Sequence, residues 1–144
     1  MGEGKLTREQ KEALLDAAKE ARARAYAPYS GYAVGAAVYT ASEKCYTGCN
    51  IENASYGAAN CAERTAIFKA VSEGEREITA VAIAGGKSGR EPEDYAYPCG
   101  ICRQVMQEFG KADMPILIAG AGKEYQEYTL TDLLPYGFGG DKLV

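Results

Sequence analysis

Apolar residues in the first part of the chain recur three and four positions apart. Leu14, Leu15, Ala18, Ala21 and Ala25 form one stripe, which predicts a helix from about Thr7 to about Ala25. Thr7 and Gln10 have capping-box spacing, and Leu6 stands where a hydrophobic staple would. Pro28-Tyr29-Ser30-Gly31 then supplies turn chemistry. From Ala33 to Thr40 small residues and valines predict a strand, Ala41 to Lys44 a hairpin turn, and Cys45 to Asn50 its partner strand. Ile51 to Asn60 is polar and aperiodic, a loop. A second helix is predicted from about Cys61 to Glu73, with Gly74 as its stop.

Two continuous apolar runs follow, Ile78 to Ala84 (bounded by Gly85-Gly86) and Pro115 to Ala119, and both read as buried strands. Between them lie a charged surface loop, Lys87 to Ala96, and a third helix from about Cys99 to Phe109 that stops at Gly110. A short strand, Tyr125 to Thr129, and a helical turn, Thr131 to Leu134, complete the chain. Strands interleaved with helices in this order predict an α/β fold: a three-layer α/β/α sandwich on a five-stranded mixed sheet. The 144 residues, 1–144, are expected to form a single domain that buries its own core.

Composition narrows the chemistry. A formal net charge of -4 argues against a polynucleotide partner, which calls for a basic surface. No apolar run approaches membrane-spanning length, and the first twenty residues lack a signal-peptide core, so the expectation is a cytoplasmic protein with no membrane partner. The five cysteines then read as reduced thiols. Cys45 and Cys49 are expected to be small buried hydrophobes, as most free cysteines are. The chain contains no histidine, so proton transfer must fall to a carboxylate, lysine, tyrosine or thiol.

Cys61-Ala62-Glu63-Arg64 and Tyr97-Pro98-Cys99-Gly100-Ile101-Cys102-Arg103 carry the densest chemistry. Three thiolates can hold zinc and leave its fourth position open, the arrangement of a catalytic rather than a structural site. Cys99 and Cys102 share a helix face, whereas Cys61 and Glu63 converge only if Cys61 lies at a helix start. Arg64, three residues after Cys61, would lie over that thiolate; a surface ion pair with Glu52 or Glu73 is its alternative. A redox C-x-x-C is the rival reading for Cys99 and Cys102, but it leaves Cys61 and Glu63 without a purpose. Taken alone, Glu63 reads as a first-turn acid favouring the helix dipole; beside Cys61 it is placed as a proton carrier.

The run Thr47-Gly48-Cys49-Asn50-Ile51-Glu52-Asn53-Ala54-Ser55-Tyr56-Gly57, the two cysteine motifs, Tyr29 to Ala37 and Leu133 to Gly139 together resemble the cytidine deaminase family in its small homotetrameric bacterial form. The resemblance spans about Tyr26 to Gly139. It implies hydrolytic deamination of cytidine and 2′-deoxycytidine, Zn2+ on Cys61, Cys99 and Cys102, and Glu63 as proton shuttle. It further implies that Arg64 hydrogen-bonds the ligand thiolates and that Asn50 and Glu52 hold the ribose 3′-hydroxyl. Tyr32 and Ala62 belong with the substrate-binding residues, and Tyr56 and Phe138 reach a neighbouring subunit's site in a homotetramer. The partner is thus a small nucleoside. Two positions depart from the family: Tyr32 stands where phenylalanine is usual, and Tyr97 where a small residue commonly precedes Pro-Cys. Other readings are a zinc-stabilised interaction domain, which lacks an obvious fourth ligand; a polynucleotide deaminase, disfavoured by the acidic balance; and a deaminase of nucleoside antibiotics.

Overall fold

The computed structural model describes residues 6–143. Helix α1 (Arg8–Ala21) opens on the Thr7/Gln10 capping box, and Leu6 packs beside its buried face. Strands β1 (Tyr32–Thr40) and β2 (Cys45–Cys49) form the hairpin. They are followed by α2 (Ala62–Ser72), β3 (Ile78–Lys87), α3 (Gly100–Phe109), β4 (Pro115–Ala119), β5 (Tyr125–Thr129) and the single turn α4 (Leu130–Leu133). The sheet order is β2-β1-β3-β4-β5, antiparallel except for the β3/β4 pair, which makes it mixed.

Alternation along the strands produces the three layers. Val81, Ile83, Ile116 and Ile118 point to the face covered by α2 and α3, where they meet Ile67, Ala70 and Met106. Ala80, Ala82, Ala84 and Leu117 point to the opposite face and receive Leu14, Leu15 and Ala18 of α1. The small residues on that second face let α1 lie close to the sheet. Both faces are therefore covered, as two continuous apolar runs require.

Three expectations are corrected. Helix α1 ends at Ala21 and gives way to a tight 3-10 turn at Arg22–Arg24, instead of continuing to Ala25. Arg22 is drawn out of the helical pattern by three carbonyls, donating to Ala33 O at 2.9 Å, Arg90 O at 2.8 Å and Lys87 O at 3.1 Å. Strand β3 does not stop at Gly85-Gly86 but pairs through both glycines to Lys87. A Cβ on Gly85 would stand 2.6 Å from the Ala96 Cβ and 3.0 Å from the Tyr32 ring, so this glycine marks close packing over the strand rather than its end. Cys45 is exposed at the start of edge strand β2, and Cys49 is half-buried with its thiol donating to Arg24 O at 3.3 Å; neither is a core residue.

Candidate metal centre and active-site cleft

The cleft opens over the carboxyl half of β3, where α2 and α3 both begin. Cys61 and Cys99 are the N-caps of these helices, with extended backbone (φ -81° and -72°), and neither helix start has a side-chain cap. The free N–H groups and positive dipole ends of two helices therefore converge on sulfur. Gly48 in β2 makes the docking of α2 possible: a Cβ there would lie 2.5 Å from Ala66 N and 2.8 Å from Ala62 O.

The sulfurs of Cys61, Cys99 and Cys102 lie within 4.8 Å of one another, with Cys61 Sγ and Cys99 Sγ 3.8 Å apart. Three thiolates at about 2.3 Å from a tetrahedral zinc stand about 3.8 Å from each other, so the donor set fits that ion in kind and in spacing. Arg64 Nη2 donates to Cys61 Sγ at 3.3 Å, and its buried Nε–H has no partner. An unpaired buried donor is costly, and an anionic sulfur cluster is the environment that relieves it. Arg64 is not among the ion-paired residues of the described chain, so its surface-pair alternative is not what the fold adopts.

Electrostatics follow from this crowding. The neighbouring Cys102 thiol, joined by Arg64 and Cys99, holds Cys61 far below the ordinary thiol range, at about 5, against the opposing effect of burial. Cys102 moves the other way, chiefly because it is hydrogen-bonded to the Cys61 thiolate and is itself buried. A first negative sulfur thus suppresses a second until a cation is present. Glu63 is 4% exposed, and burial pushes its carboxyl up to about 7, with the Cys61 charge adding to the rise.

The cleft measures about 490 Å³, and its lining includes Tyr32, Asn50, Glu52, Tyr56, Cys61, Ala62, Glu63, Arg64, Tyr97 and Cys99. Cys102 is fully buried behind this lining, on the inner face of α3. Asn50 is laced to β1 by its amide, Oδ1 accepting from Val34 N at 2.9 Å and Nδ2 donating to Tyr32 O at 2.9 Å. Glu52 lies on the loop after β2 and accepts from Tyr29 N, Ser30 N and the Ser30 hydroxyl, which together draw its carboxyl below the usual range, the hydroxyl foremost. Tyr56 sits on a 3-10 turn at the rim and is 81% exposed. Phe138 is outside the cleft lining of its own chain and 54% exposed.

The two departures are accommodated differently. Tyr32 lays the edge of its ring over Gly85. Tyr97 turns its hydroxyl away to β5, donating to Gln126 Oε1 at 2.6 Å, and meets Tyr128 edge-on at 6.2 Å. Sequence reasoning did not single out Ser30 or Arg22. Ser30 was legible only as a turn residue and Arg22 only as a helical one, because the partners that fix them lie 11 to 68 positions away. A second hollow, about 510 Å³, lies elsewhere around Leu6, Ile78 and Met114, but its Lys11 and Lys111 are already paired with Glu127 and Glu77.

The family described as "Cytidine and deoxycytidylate deaminase zinc-binding region" matches residues 8–118. The chain is 43% identical over 132 residues to a cytidine deaminase of Sporosarcina psychrophila, covering 92% of this chain and 93% of that one. It is 46% identical over 125 residues to a cytidine deaminase of Halalkalibacterium halodurans, covering 87% and 91%. Among solved structures, the Burkholderia pseudomallei cytidine deaminase superimposes with a TM-score of 0.80 at 44% identity, covering 92% of this chain and all of that one (100%). The Mycobacterium tuberculosis cytidine deaminase gives 0.75 at 37% identity, covering 90% and 97%.

Proposed function

Because this chain belongs to the cytidine and deoxycytidylate deaminase family, we propose that it catalyses hydrolytic deamination of cytidine and 2′-deoxycytidine, giving uridine or 2′-deoxyuridine and ammonia. The observation that carries this reading is the convergence of three cysteine sulfurs beside a buried glutamate at two helix starts. Cys61, Cys99 and Cys102 would hold Zn2+, and two of them, Cys61 and Cys99, line the cleft. When bound there, zinc supplies Lewis acidity and lowers the pKa of its water toward neutrality.

The chain's own residues do the rest. Glu63 takes the proton of the attacking water, delivers one to N3 of the cytosine ring, and then helps the 4-amino group leave as ammonia. Its placement supports this role: a carboxyl buried beside the thiols is screened from bulk water and can alternate between charged and neutral forms. Arg64 offsets sulfur charge, keeping the cluster from becoming too electron-rich to act as a Lewis acid. Tyr32 and Ala62 line the base side of the cleft.

Asn50 and Glu52 grip the sugar. With its amide committed to β1, Asn50 retains one Nδ2–H to donate, while Glu52 can only accept. A single hydroxyl, the ribose 3′-OH, satisfies both. Assembly as a homotetramer is supported by the exposed aromatic and apolar residues Tyr56, Phe68, Ile101, Tyr136 and Phe138, with Tyr56 and Phe138 reaching a neighbour's cleft. Residues 1–144 act as one domain, consistent with one sheet covered on both faces. Cytoplasmic residence accords with the unpaired Cys45 and Cys49, and among the described residues no helix is long and apolar enough to cross a membrane.

The test is ammonia release from cytidine by the purified, zinc-analysed protein, with light scattering on the same sample. Stoichiometric uridine formation by a four-chain particle is expected. A folded, zinc-loaded protein that leaves cytidine and deoxycytidine untouched would overturn the assignment.

A further inference from the structure

An ionised carboxylate has about four lone-pair sites, and at Glu52 the chain itself occupies three of them. Oε1 accepts the backbone N–H groups of Tyr29 at 2.9 Å and Ser30 at 3.1 Å, and Oε2 accepts the Ser30 hydroxyl. Ser30 therefore donates to both oxygens of one carboxylate, through its main chain and its side chain. Its Oγ also accepts the N–H of Tyr32 at 3.0 Å, so the hydroxyl proton cannot be aimed back at its own strand. The clamp ties a loop carboxylate to the first residue of β1, and Tyr32 lines the same cleft. Without it, a glutamate on an irregular segment would distribute over several rotamers and lose orientation at the sugar.

We propose that Ser30 is a positioning residue that sets the plane of the Glu52 carboxylate and leaves one acceptor site open, so that the site selects nucleosides presenting a single donor hydroxyl there. This rests on the reading that Glu52 meets the sugar 3′-hydroxyl. Ser30 touches no reacting atom. Its effect passes through Glu52, and it should therefore appear only with substrates that engage Glu52.

The experiment measures kcat/KM for cytidine and 3′-deoxycytidine with the zinc-loaded wild type, Ser30→Ala, Ser30→Thr and Glu52→Ala. Ser30→Ala is expected to lower kcat/KM for cytidine roughly five- to tenfold, mostly through KM, and to leave 3′-deoxycytidine within about twofold. Ser30→Thr, which keeps the hydroxyl, should restore most of the loss. Ser30→Cys, close in volume but a weak donor, carries the same test should the alanine variant fail to fold. Equal losses on both substrates for Ser30→Ala, with Glu52→Ala selective for cytidine, would overturn the Ser30 assignment alone. A Glu52→Ala variant that loses equally on both substrates would overturn the sugar reading beneath it.

Discussion

Two glutamates eleven positions apart line the same cleft and are driven in opposite directions. Glu63 lies in the first turn of α2 with 4% of its surface exposed, and burial raises its pKa to about 7. Glu52 stands on a loop, and the Ser30 hydroxyl with the N–H groups of Ser30 and Tyr29 lowers its pKa. The difference teaches that a carboxylate's role is set by its surroundings. A desolvated one beside thiols is poised to carry protons, while one supplied with donors stays charged and accepts a hydrogen bond. The same contrast runs through the cleft as a whole. Its sulfur end is built on helix starts packed against the sheet, and its Glu52 end on loops whose aromatic rim, Tyr56, is largely open.

The heaviest blow to this contrast is removal of the ion's support. Cys99→Ala should lose bound zinc, read by metal analysis, and with it all measurable turnover; Cys99 is exposed, so the fold should survive. Glu63→Ala comes next, with turnover lower by about two to four powers of ten and zinc retained, whereas Glu52→Ala should act mainly on KM. Retained activity in Glu63→Ala would erase the distinction between the two carboxylates. Free cytosine should react at least tenfold more slowly than cytidine in kcat/KM, because the remaining Nδ2–H of Asn50 and the open acceptor site of Glu52 then lack their shared partner, at a cost of about 1–3 kcal/mol. Gly48→Ala should lower stability by roughly 1–3 kcal/mol, seen as a lower melting temperature, by forcing α2 off β2. The smallest effect is expected from Tyr32→Phe: the ring already rests on Gly85, so cytidine turnover should change by less than about threefold.

Much of this was readable from local pattern. The Thr7/Gln10 capping box, the hairpin turn, and the helix starts at Cys61 and Cys99 each depend on residues within a few positions of one another. The spacing Cys61-Ala62-Glu63-Arg64 placed Arg64 against the Cys61 sulfur, where the fold has it. Less was readable where the deciding partner was distant. Glycines that look like a strand end at Gly85-Gly86 are paired in the ladder, because Tyr32 and Ala96 need the space. Cys45 and Cys49 carry no sign of the edge position that leaves them outside the core.

By itself, then, the amino-acid order determined the kinds of element, their caps, the two-faced alternation of β3 and β4, and the inventory of thiols and carboxylates available for chemistry. Short-range sterics, hydrogen bonding and hydrophobic period act within a turn or a pleat, so these features need no knowledge of the fold. Only the tertiary structure decided that Cys61 and Cys99, 38 positions apart, lie at contact distance, that Glu63 is desolvated, and that Ser30 clamps Glu52. These depend on sheet register and on helices docking at glycine-thinned surfaces, and no local pattern encodes the distance between two segments before the sheet has brought them together.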